Sequence, residues 1–90
     1  MNRETISIGE MIRQVLKKRK RTVVWFAEEL SCSRTNIYKI FAKHSIDTYD
    51  LLRISKILDY DFFQVYSDAL YHTIFSQIKQ YVIAFFFVLL

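Results

Sequence analysis

Proline is absent from this chain and glycine occurs only at Gly9, so almost nothing in it breaks a helix or serves the tight turns of a sheet protein. Apolar residues make up 52%, slightly above the usual share, and with so few turn formers they are expected to line helices. Ninety residues hold one domain with a modest core, with no need of disulfide or metal staples and no room for a second domain. The expected fold is all-α: a compact five-helix bundle over residues 1–70, then an apolar C-terminal extension over 71–90, itself expected to be helical.

Periodicity places the helices. Ile8, Met11, Ile12, Val15 and Leu16 recur at i, i+3, i+4, i+7 and i+8, which predicts an amphipathic helix from Ser7 to Arg19 with Arg13, Gln14, Lys17 and Lys18 on its other side. Ser7 is the expected N-cap, with Glu10 completing a capping box. Thr22 can cap a second helix, in which Val23, Phe26, Ala27 and Leu30 follow the same spacing. Ser33 is the next good cap, and Ile37, Ile40 and Phe41 start a new phase. The second helix should therefore end near Ser31 and a third run from about Arg34 to Lys43. "HSID" interrupts the pattern, and Asp47 or Thr48 caps a fourth helix whose buried side is predicted to be Leu51, Leu52, Ile54, Ser55 and Leu58. Asp59 and Asp61 bracket a turn, and Phe62, Val65, Tyr66, Ala69 and Leu70 predict a fifth helix with Asp61 near its positive end.

The tail, "YHTIFSQIKQYVIAFFFVLL", departs from this. Ile74, Phe75, Ile78, Tyr81, Val82 and Phe85 suit one helix face, but residues 81–90 are apolar all round. Ten helical residues span about 15 Å, half of a hydrocarbon core of about 30 Å, and Gln77, Lys79 and Gln80 spoil a longer run. Three expectations stand: a dimer-forming helix, which is favoured, a membrane-associating tail, or an extension packed back on the bundle.

The net charge of +4 is unevenly spread. Residues 13–43 hold nine Lys and Arg against Glu28 and Glu29, a balance of +7, whereas residues 44–90 hold three against five Asp, a balance of −2. Such concentration is the footprint of a polyanion partner, because neutralising phosphates releases condensed counterions. The plainer reading of "KKRKR" is a solvated helix end. Cys32 is the only cysteine, which excludes an intrachain disulfide and suits a protein of a reducing cytosol. "MNRETISIGE" lacks the apolar stretch of a signal peptide. His44 and His72 have no metal-ligand cluster around them, and no glycine-rich loop or paired nucleophile and base is present; neither metal, cofactor nor enzymatic activity is expected.

Two short helices joined by a tight turn, the second capped and polar outside, describe a helix-turn-helix. Its second helix lies in the major groove, where each base pair shows a distinct donor and acceptor pattern, while the first crosses the backbone. "FAEELSCSRTNIYKIF" resembles the lambda-repressor-like, Cro-type helix-turn-helix regulators (the XRE family), with Ala27, Ser31 and Ile37 at the diagnostic positions. The resemblance covers about residues 7–70, and "SIDTYDLLRISKILDYDFF" is similar to the continuation found in short bacterial members. Ser31 stands where members usually have glycine; a positive φ there costs a serine about 1 kcal/mol. Beyond about Tyr71 the resemblance stops.

The resemblance implies base reading by Arg34, Thr35, Asn36 and Lys39. Arg34 suits guanine O6 and N7, Asn36 suits adenine N6 and N7, Thr35 a phosphate or a thymine methyl, and Lys39 a guanine or a phosphate. Contacts to the DNA backbone are expected from Lys17, Lys18, Arg19, Lys20, Arg21, Thr22, Ser33, Tyr38 and Lys43. Ser33 serves as a cap in any case, Asn36 also fits an ordinary surface, and Trp25 and Phe26 suit the core better than a stacking platform. The implied function is sequence-specific binding of double-stranded DNA by a repressor-like transcriptional regulator, as a homodimer on a two-fold site. The alternative is a protein-interaction or membrane-tethered, antitoxin-like adaptor that uses the apolar tail.

Overall fold

A computed structural model describes residues 6–72 together with 82 and 88. Four helices follow one another, α1 (Ile8–Lys18), α2 (Val23–Leu30), α3 (Arg34–Phe41) and α4 (Thr48–Leu58), and a fifth helical stretch, α5, covers 63–72. The described residues contain no strand, and the fold is the expected all-α bundle. α3 packs against α1 and α2, and α4 against α2.

The apolar stripes meet in one core. α1 contributes Ile8, Ile12, Val15 and Leu16, α2 contributes Phe26, Ala27 and Leu30, α3 contributes Ile37, α4 contributes Leu51, Ile54 and Leu58, and Phe62 closes the cluster. Each large side chain removed from water in this way stabilises the fold by about 1.5–3 kcal/mol relative to leaving it exposed.

With glycine so scarce, the turns use other residues. Lys20 after α1, Ser31 after α2 and Asp59 after α4 each take a positive φ, 58°, 56° and 51°. All three close the preceding helix by one device: the N–H of the following residue reaches back five positions, Arg21 to the Leu16 carbonyl at 3.1 Å, Cys32 to Ala27 at 2.9 Å, and Tyr60 to Ser55 at 3.0 Å. Ser31 thus takes a left-handed conformation at the end of α2. Asp59 does the same where the sequence places a turn, and Lys20 does so without a signal that marked it beforehand.

The expected capping box at α1 does not form. Ser7 makes no side-chain cap bond, and the Glu10 carboxylate instead accepts from Arg13 at 2.9 and 2.5 Å and from Gln14 at 3.2 Å. The Arg13 hydrogen bond is the main reason the Glu10 carboxyl lies below its usual pKa. The first amides of α1 are capped from elsewhere in the chain: Ile8 N–H donates to the His44 carbonyl at 3.2 Å and Gly9 N–H to the Lys43 carbonyl at 2.9 Å. α3 accordingly stops at Phe41, short of the expected Lys43. Its last turn tightens through Ala42 N–H to Lys39 and Lys43 N–H to Ile40, which leaves the next two carbonyls for α1.

One predicted face also needs correction. Leu52 is 41% exposed, because it lies one residue, about 100°, off the buried line of Leu51, Ile54, Ser55 and Leu58. In α5 the predicted stripe is only partly buried. Phe62 is fully buried and Val65 half-buried, but Tyr66, Ala69 and Leu70 are exposed, since the core is already closed by Phe62. Asp61 does sit at the start of α5, where its Oδ1 accepts from Phe63 N–H at 3.0 Å.

Two arginines tie α4 to its neighbours. Arg19 donates through Nε to the Leu58 carbonyl at 3.0 Å and through Nη2 to Asp59 at 2.6 Å, and Arg53 donates through Nη2 to the Leu30 carbonyl at 3.0 Å. Both satisfy carbonyls that a helix end leaves without a partner. The expectations for the tail fall on 73–90, outside the described residues except for Val82 and Val88, which are exposed. No helix among the described residues is long and apolar enough to cross a membrane.

Candidate nucleic-acid interface

The candidate site is built on the starts of α2 and α3. Thr22 is extended, with ψ 161°, and its Oγ1 accepts from Trp25 N–H at 3.0 Å; Ser33 is extended, with ψ 160°, and its Oγ accepts from Asn36 N–H at 3.1 Å. Each hydroxyl acts as an acceptor in its cap and keeps its own hydrogen to donate. The caps engage the Trp25 and Asn36 amides, and the amides ahead of them in each first turn stand at the positive end of the helix dipole, where a phosphate is favourably bound.

Ile37 fixes how α3 is turned. It is fully buried, with Ile40 and Phe41 half-buried beside it, while Arg34, Thr35, Asn36, Tyr38, Lys39 and Lys43 are exposed. At about 100° per residue, Thr35 and Lys39 lie opposite Ile37. Arg34 and Tyr38 flank them on one side and Asn36 on the other, toward α4, with Lys43 beyond the end of the helix lining the same cleft as Asn36. The Tyr38 ring, 60% exposed, meets Phe41 edge to face at a centroid distance of 6.0 Å. All four expected base-reading residues therefore stand on the outer surface of one two-turn helix.

The basic run divides. Lys17, Lys18 and Lys20 are exposed, whereas the Arg19 guanidinium is turned to the end of α4 and that of Arg21 lies 4.6 Å above the Trp25 ring centroid. The expectation that all five meet phosphate narrows accordingly, with Arg19 serving the fold. Trp25 is half-buried against the core and Phe26 fully buried, which leaves neither as a free stacking platform. The ion pairs among the described residues are Glu10 with Arg13 and Asp50 with Arg53, so Lys17, Lys18, Lys20, Arg34, Lys39 and Lys43 carry charge with no paired carboxylate there.

Two residues that shape this surface went unread in the sequence. Gly9 lets α1 approach the end of α3, and its one signal was being the only glycine. Arg53 anchors α4 to the carbonyl of Leu30, immediately before the Ser31 turn. Only its spacing from Asp50 was visible, and that spacing says nothing of a contact with α2. Among the described residues no three His, Cys, Asp or Glu gather as metal ligands would. Comparison with protein-family models, curated proteins and solved structures found no match to this chain.

Proposed function

We propose that this chain binds double-stranded DNA in a sequence-specific manner, as a repressor-like transcriptional regulator of the lambda-repressor-like helix-turn-helix kind, with α2 and α3 as the motif. The observation that carries this reading is the outward display of Arg34, Thr35, Asn36 and Lys39 on a capped helix held from behind by fully buried Ile37. Ala27, buried where α2 meets its neighbours, and Ser31 at φ 56° support it. In this reading α3 enters the major groove by its first turns and the amides at the start of α2 take a phosphate. Lys17, Lys18, Lys20 and Lys43 add the salt-sensitive, sequence-independent part of the affinity. The role is binding, without catalysis or cofactor, on cytoplasmic nucleoid DNA.

Selection of bound duplexes from a random pool, followed by salt titration on the enriched sequence, tests the reading. Arg34→Ala is expected to cost about 1–3 kcal/mol and to relax preference at one base position. Lys18→Ala should weaken all duplexes alike and reduce the salt slope by about one. Equal losses on selected and random duplex for Arg34→Ala would remove Arg34 from base reading, and failure to enrich any sequence would remove the function.

A single module of this size buries little surface on DNA, so we propose a homodimer. Tyr66, Leu70 and Tyr71, exposed along α5, favour a second copy as the cover. Sedimentation equilibrium should show a mass that rises with concentration, and Leu70→Glu should return the chain to monomer; a monomer at all concentrations would refute the pairing. The same exposed stripe favours the adaptor reading. Pelleting with liposomes in high salt separates the two, because apolar insertion survives salt and phosphate binding does not.

A further inference from the structure

Between α3 and α4 lies a cleft of about 310 Å3, within the range of small-molecule sites. Leu30, Ile40 and Ile54 give it an apolar floor, and two cations line it: Lys39 in the last turn of α3, and Lys43 just beyond the end of that helix. The opposite wall is α4, where Arg53 is already engaged: Nη2 is held by the Leu30 carbonyl and Nη1 lies 3.8 Å from Asp50 Oδ1. The charges of α4 thus largely offset each other, whereas Lys39 and Lys43 line the cleft with no carboxylate partner among the described residues. The half-buried thiol of Cys32 also lines the cleft.

We propose that this cleft binds a small amphipathic phosphate monoester, its phosphate between Lys39 and Lys43 and its apolar body on Leu30, Ile40 and Ile54. Two compact ammonium charges suit a dianionic tetrahedral group. A phosphate of a DNA strand would meet the two charges but leave the apolar floor wet, so a free ligand with an apolar body fits the whole cleft better. The site stands independently of DNA binding. Its regulatory consequence, that the ligand and duplex exclude each other through Lys39, rests on the proposed function.

Cys32, the only thiol in the sequence, reports on occupancy without DNA. The full chain is treated with iodoacetamide in the presence of phenyl phosphate, with inorganic phosphate at equal ionic strength as the comparison, and alkylation is followed by mass spectrometry. Phenyl phosphate is expected to slow alkylation about tenfold, with half-effect near or below about 1 mM, and inorganic phosphate by less than about twofold. In Lys43→Gln and Lys39→Gln, both at exposed positions and checked for helicity by circular dichroism, the protection should disappear. No slowing by phenyl phosphate, equal slowing by inorganic phosphate, or undiminished protection in both variants would each overturn the site. Release of a selected duplex by phenyl phosphate tests the regulatory consequence alone.

Discussion

Gly9→Ala is expected to destabilise the fold by about 3 kcal/mol, on the order of 15 °C in Tm for a domain of this size. In an ordinary helix interior the same substitution gains about 1 kcal/mol, because alanine is the better helix former. Here the sign reverses. A Cβ on Gly9 would lie 2.5 Å from the Phe41 carbonyl oxygen and 2.7 Å from that of Lys43, and closer still to Ile40. These are backbone atoms, so no side chain can swing aside, and α1 must move away from the end of α3. The bonds from Ile8 and Gly9 to the His44 and Lys43 carbonyls would stretch with it. Urea unfolding of the two proteins measures the difference; a variant more stable than the parent would show that α1 and the α3 exit are not in this contact. Since α3 is also the proposed reading helix, the variant should bind a selected duplex more weakly even where it remains folded.

Phe62→Ala should be more damaging still, at about 4 kcal/mol, whereas Leu70→Ala should stay within about 0.5 kcal/mol. Phe62 is fully buried, with its ring 4.7 Å from that of Tyr60, and its amide reaches the buried Ser55 Oγ at 3.4 Å. Truncation leaves a cavity at the junction of α4 and α5 that the surrounding helices can only partly fill. Leu70 is 58% exposed and has little burial to lose. The pair of measurements locates the end of the folded body, because equal losses at the two positions would mean that α5 packs against the core along its whole described length. Chemical denaturation at dilute concentration keeps any association through Leu70 out of the result.

Much of this architecture was legible in the sequence, for a physical reason. The stripes of α1 and α2 announce their buried sides because a helix repeats every 3.6 residues, and Thr22, Ser33 and Asp47 announce helix starts because their oxygens are built to take an orphan amide. All three accept the bond expected of a cap. The exposure of Arg34, Thr35, Asn36 and Lys39 follows from the phase of Ile37 and was equally readable. Periodicity says which way a helix faces, though not what comes to meet it. Ser7 and Glu10 matched a capping box, yet the cap came from carbonyls more than thirty residues away. Arg19 looked like one more cation in a basic run, and the end of α4 claimed it. Leu52 was counted with its neighbours by hydrophobicity, although its angle already placed it outside their line.

The polar ties that hold α1, α2, α3 and α4 to one another share a chemical character. Ile8 and Gly9 reach His44 and Lys43, Arg19 reaches Leu58 and Asp59, and Arg53 reaches Leu30; every acceptor is a peptide carbonyl and every donor an amide or a guanidinium. None of these groups gains or loses a proton across the ordinary laboratory range. Acidification, which dismantles many proteins by neutralising the carboxylates that join their parts, finds no such joint between these helices. Glu10 titrates inside a single helix: its lowered folded-state value gives a contribution present above the ordinary carboxyl range and lost as the medium becomes acidic through that lowered value. The joints between these four helices thus rest on peptide carbonyls rather than on carboxylates.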